Sequence, residues 1–114
     1  MPNEKALLAY RKGGQNCAQS VFTGFQKLLN VPQTTIEEAR KQGGGKVEGG
    51  RCGALHATLV LSKQAETRKE LQSRFEELAG SQLCREIRMK KQLSCDQCVD
   101  LAVTLLNQHE HSKI

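Results

Sequence analysis

Apolar positions recur at helical spacing along nearly the whole chain. Ala6, Leu7 and Tyr10 share one face of a first helix; Pro2 suits its first turn and Gly13-Gly14 ends it. From about Asn16 to Asn30, Cys17, Val21, Phe25 and Leu28 stand at i, i+4, i+8 and i+11, with Phe22 and Leu29 beside them. Val31-Pro32 stops this segment, because the residue before a proline is pushed out of the α region. Thr35 with Glu38 reads as a capping box opening a short helix, Ile36 to Gln42. Cys52 to Lys63 is apolar; Leu55, Leu59 and Leu61 suit a strand or a buried helix, and the length, about twelve residues among helical neighbours, predicts the helix. Thr67 to Ala79 is amphipathic. Leu71, Phe75 and Leu78 lie on one side, Arg68, Lys69, Glu76 and Glu77 elsewhere, and Gly80 is the C-cap. A short helix around Leu83, Cys84 and Ile87 follows. Ser94 with Gln97 opens the last helix, which turns Val99, Ala102, Leu105 and Leu106 inward.

Six or seven helices and no hairpin signal predict an all-α fold. We expect a single domain, residues 1–114, built as a helical bundle with a glycine-rich loop. That loop, GGGKVEGG over residues 43–50, is too rich in glycine for any regular element. It is either a linker or a loop whose backbone must approach something closely. A phosphate-binding loop is excluded, since Val47 follows Lys46 where Ser or Thr is required and no strand precedes.

Composition narrows the function. With 38% apolar residues, three Phe, one Tyr and no Trp, the core must rest on Leu, Val and Ala. No apolar run is long enough for a membrane span. The N-terminus has no apolar h-region after a basic start and does not read as a signal peptide, so a cytoplasmic location is expected. The net charge of +5 has one dense source, Arg85 to Lys91. This reads as a solvated helix face. No aromatic residues interleave with it, which argues against nucleic acid as a partner.

Five cysteines are too few for a disulfide scaffold and are odd in number. Cytosolic thiols stay reduced unless they bind metal or do redox work. Cys17, Cys52 and Cys95 fall at predicted helix starts, where the dipole and unpaired N–H groups stabilise a thiolate. Cys95 and Cys98 form a C-x-x-C, the spacing of redox dithiols, although the βαβ context of thioredoxin-like proteins is absent. Packing as a small hydrophobe is the ordinary role of a buried cysteine. His56 stands four residues after Cys52 on the same helix face. There it could lower the Cys52 pKa or complete a ligand set, or be a histidine with no such role. A site gathered from separate helices could hold zinc or an iron–sulfur cluster.

Asn16-Cys17-Ala18-Gln19-Ser20-Val21 after Gly14, then Gly43-Gly44-Gly45, Cys52-Gly53-Ala54, Cys84, and Cys95 with Val99 and Ala102 make a pattern. It resembles the family of redox-active proteins named for their C-GCAxxG-C-C motif, over roughly residues 5–107. The resemblance implies a redox or metal role for Cys17, Cys52, Cys84 and Cys95, with Cys98 an addition or, one turn later, the counterpart of Cys95. It supplies no substrate. One departure is Ala57, where the family pattern has glycine, with His56 just before it.

The expected mechanism gives Cys17 and Cys52 the thiolate role, while Cys84 and Cys95 resolve a disulfide or complete a four-thiolate set. Gly43, Gly44 and Gly45 would let the loop backbone approach that site. The cofactor is left open between an iron–sulfur cluster, zinc, and none with redox disulfides; the partner is an electron-transfer or thiol protein. The competing reading is a non-catalytic helical interaction module whose cysteines are structural and whose basic helix near Arg88 is the contact surface.

Overall fold

The computed structural model describes residues 2–43, 47–90 and 93–112, with side chains described for all of these but Glu48 and residues 109–112. The fold is all-α. The described residues form eight α-helices: α1 (Pro2–Arg11), α2 (Cys17–Gly24), α3 (Gln26–Leu29), α4 (Gln33–Glu38), α5 (Gly53–Leu61), α6 (Ala65–Ala79), α7 (Cys84–Lys90) and α8 (Cys95–Ser112). Two short 3-10 turns, Ala39–Gln42 and Glu48–Gly50, lie between α4 and α5. An antiparallel bridge between Arg51 and Leu83 is isolated from any strand.

Local chemistry accounts for most of these boundaries. Gly14, at φ 70°, turns the chain after α1. Asn16 caps α2 reciprocally. Its side-chain oxygen accepts from the Gln19 N–H at 2.8 Å, and the Gln19 side chain accepts from the Asn16 N–H at 3.1 Å. The Asn16 amide also donates to the carbonyls of Ala39 and Arg40, at 3.1 and 3.0 Å, tying α2 to the turn after α4. Replacing Asn16 with alanine is therefore expected to cost about 1–2 kcal/mol, the cap plus two carbonyls left to solvent. Denaturant unfolding of the variant checks this. Gly80, at φ 87°, ends α6 as expected, with its N–H on the Glu76 carbonyl at 2.8 Å.

Three sequence expectations shift. The Asn16–Asn30 segment bends at Phe25 (φ −100°, ψ 5°) and becomes α2 and α3. Phe25 is fully buried, but beyond the bend the period is broken and Leu28 is 62% exposed. The fourth helix starts at Gln33, not at Thr35, because the Pro32 carbonyl already accepts from the Thr35 N–H at 3.0 Å. On α6 the inward step is four residues, Leu71, Phe75 and Ala79, so Leu78 faces out.

Packing explains why α5 is apolar all round. It is covered by α2 on one side and α8 on the other, and α6 lies across α5 and α8. Gly53, Ala54, Leu55, Ala57, Thr58 and Leu59 are all buried. The core combines these with Val21, Phe22, Phe25, Leu71, Phe75, Val99, Val103 and Leu106. Helix α1 packs on α2 and α8. It is held to α8 by Asn3, which donates to Asp100 at 2.7 Å and Thr104 at 2.9 Å, and by the Arg11–Asp96 ion pair at 2.7 Å. Among the described residues no helix is long and apolar enough to cross a membrane.

Candidate functional site

Four of the five cysteines begin a helix. Cys17 is the first residue of α2, Cys52 the cap of α5, Cys84 the first residue of α7 and Cys95 the first of α8; Cys98 follows one turn into α8. The Cys84 placement was not among the helix starts read from the sequence. Backbone contacts draw the starts together. The Cys52 N–H donates to the Gln82 carbonyl at 2.8 Å, and the Arg51–Leu83 bridge runs beside it, which sets the start of α5 next to that of α7. The α1–α8 ties bring Tyr10 to the start of α8.

The result is one small cavity lined by Cys17, Cys52, Cys84, Cys95 and Cys98, with Ile87, Arg88 and Leu93. Its volume is about 20 Å³, room for about one water molecule. All five sulfurs are thiols. Cys17, Cys52, Cys84 and Cys98 are buried, and Cys95 is partly exposed.

The sulfurs interact in two layers. Inside, Cys52 hydrogen-bonds with both Cys17 and Cys98. The bond with Cys17 favours its thiolate, but the bond with Cys98 and burial oppose this, and the Cys52 thiol is pushed up to about 12. The direction of that shift favours the Cys52 thiol over its thiolate. Outside, an Arg88 guanidinium nitrogen donates to the Cys95 sulfur at 3.7 Å. That bond, with the nearby charges of Cys84 and Cys95, raises the Arg88 pKa and keeps it cationic. Tyr10 is pushed up to about 12 by burial and by its hydrogen bond with Cys95, so its hydroxyl is a donor. Burial raises the Cys84 thiol, partly offset by Arg88.

The Cys52 and Tyr10 shifts carry a stability prediction. Both folded-state values lie above the ordinary 9.0 and 10.0. The unfolded chain thus loses these protons first, and the stability they contribute is full below about pH 9 and lost as pH rises toward 12. Thermal unfolding should show a falling midpoint over that window.

Glycine shapes the inner layer. A Cβ on Gly53 would lie 2.5 Å from the Gln42 carbonyl oxygen and 2.8 Å from the Cys17 sulfur, so only glycine lets α5 start this close to Cys17. Gly43 is buried against Asn16, where a Cβ would lie 2.7 Å from the Asn16 Cβ. It thus supports the α2 cap rather than lining the cavity. Gly44 and Gly45 lie outside the described residues. His56 does not line the cavity. Burial, Arg51 and Arg68 lower its pKa, and among the described residues its Nδ1 has no hydrogen-bond partner.

Among the described residues no three Cys, His, Asp or Glu side chains are gathered so as to hold a metal ion. The cavity has water-sized room. An iron–sulfur cluster would need three or four of these sulfurs as thiolates around an inorganic core.

Sequence reasoning missed Tyr10 as a sulfur neighbour and read Arg88 only as part of a basic surface. Tyr10 and Arg88 belong to other helices than Cys95, and no spacing rule links them. The glycine in Cys52-Gly53 was the available signal for close approach.

A search of curated proteins and one of solved structures gave no match. The family described as "Putative redox-active protein (C_GCAxxG_C_C)" matches residues 15–109. That span contains all five cysteines and most of the chain, and the protein belongs to this family.

Proposed function

We propose that the protein works by thiol–disulfide chemistry, with the cysteine cavity as its redox centre. The observation that carries this reading is the convergence of five thiols, from residue 17 to residue 98, on one small cavity. In the reaction a thiolate of the chain attacks the disulfide of a partner protein. One partner sulfur leaves as thiolate and a mixed disulfide forms. A second cysteine then displaces the remaining partner sulfur, so the chain holds a disulfide and the partner a dithiol. Cys52, in contact with both Cys17 and Cys98, is the sulfur through which a disulfide moves between the outer and inner layers. Its raised pKa keeps it a thiol until a neighbouring disulfide forms, and Cys98 offers it a hydrogen-bond partner. Cys84 lines the same cavity beside Arg88 and is a further thiol of the centre.

Exposing the reduced protein to an oxidised small dithiol, with thiol counting and metal analysis, tests the proposal. Loss of thiols in pairs, without stoichiometric metal and without visible absorption, is the expected result. Five thiols that stay reduced would mark an interaction module with packed cysteines. Stoichiometric iron or zinc bound by the cysteines would point to ligation instead.

A further inference from the structure

We propose that Cys95 is a peroxide-reactive thiol, that Arg88 and Tyr10 position and activate it, and that Cys98 resolves the product. The proposal rests on the thiol-redox reading above and names its oxidant as hydrogen peroxide. Three features of the site support it.

Access is the first. Cys95 is the partly exposed member of the five; the others are buried. The second is the donor arrangement. Arg88 donates to the Cys95 sulfur at 3.7 Å from α7, and Tyr10 of α1 is an electrostatic neighbour of the same sulfur. Attack on a peroxide uses such donors, because negative charge moves from sulfur onto the departing oxygen beside them, and fixed donors there stabilise the transition state. Size is the third. The cavity is about 20 Å³, close to one water. Hydrogen peroxide is of that scale.

The chemistry balances as follows. The Cys95 sulfur attacks one peroxide oxygen. An S–O bond forms, the O–O bond breaks, and the leaving hydroxide takes the proton released by the Cys95 thiol and departs as water. Sulfur has been oxidised by two electrons to a sulfenic acid, and the peroxide has been reduced. The Cys98 sulfur, one turn along the same helix start, then attacks Cys95. The S–S bond forms, the S–O bond breaks, and the hydroxyl leaves as a second water with the Cys98 proton. The net change is two thiols and one hydrogen peroxide to one disulfide and two waters. A dithiol reductant restores the thiols by exchange.

The test uses the full chain, reduced, with hydrogen peroxide under stopped flow and peptide mapping. The folded protein should consume peroxide at least about a hundredfold faster than the same chain in denaturant. One equivalent should yield the Cys95–Cys98 disulfide. In Cys98→Ser the sulfenic acid should persist and be captured on Cys95 by a dimedone probe. Arg88→Ala should slow the reaction about tenfold or more, and Arg88→Lys should restore part of it, with unfolding temperature unchanged in both. Consumption no faster than in denaturant, or dimedone capture on another cysteine, overturns the proposal. If the oxidised dithiol still forms disulfides in that case, the thiol-redox reading stands and only the peroxide step falls. If neither oxidant forms a disulfide, both fall.

Discussion

Cys52→Ser is expected to leave Cys17 reduced at potentials where the unaltered protein has oxidised it. Cys52 is the sulfur that contacts both Cys17 and Cys98. On the proposed reading, a disulfide formed at the outer layer reaches Cys17 by exchange through that position. A serine hydroxyl can still hydrogen-bond to both neighbours but cannot form an S–S bond. The fraction of Cys17 held in a disulfide should fall by about tenfold or more at a fixed potential, because the exchange step is removed rather than slowed. Differential alkylation followed by mass spectrometry reads this directly. The fold should tolerate the change, since the hydroxyl keeps the hydrogen-bonding role in a buried position. The same variant should also lose the Cys52 share of the alkaline destabilisation, leaving only the part due to Tyr10.

Gly53→Ala should be the most damaging small change in the chain. In a helix interior, glycine to alanine is ordinarily favourable, by roughly 1 kcal/mol. Here the added methyl meets the Gln42 carbonyl oxygen at 2.5 Å and the Cys17 sulfur at 2.8 Å. A backbone oxygen cannot rotate aside, so the start of α5 must move off the Ala39–Gln42 turn and off Cys17. Overpacking of this kind costs about 1–3 kcal/mol, which reverses the sign of the propensity gain. Shifting the α5 start also carries Cys52 away from Cys17. Gly24→Ala makes a useful contrast. Its methyl would meet the Pro2 carbonyl oxygen at 2.7 Å and the Ala6 Cβ at 3.0 Å, and no sulfur. Both variants should unfold at lower temperature, but only Gly53→Ala should also weaken Cys17–Cys52 exchange.

The helical nature of the chain and its buried α5 follow from the apolar period, because a helix covered on two sides needs apolar residues on both faces. Gly80 and Gly14 mark their turns for the same local reason: each sits at positive φ. The bend at Phe25 was not legible. The period continues through it in sequence, and the bend accompanies the close approach of Gly24 to the Pro2 carbonyl on a different helix. Cysteine positions pointed to the site, and the motif of Cys17 with Cys52-Gly53-Ala54 pointed to the family. Which sulfur neighbours which is a tertiary fact. The Cys52 contacts depend on how α5 sits between α2 and α8, and the approach of Arg88 to Cys95 depends on where α7 is placed relative to the start of α8. Helix-start placement alone argued for a Cys52 thiolate; burial and the Cys98 contact favour its thiol.

The most direct test of the central claim is a redox titration of the full chain, with each cysteine's oxidation state mapped by differential alkylation at every potential. The account predicts that thiols disappear in pairs, that all the disulfides join members of the five-cysteine set, and that Cys17 is oxidised together with Cys52. Five cysteines that alkylate independently of potential, or pairing only between separate chains, would contradict it.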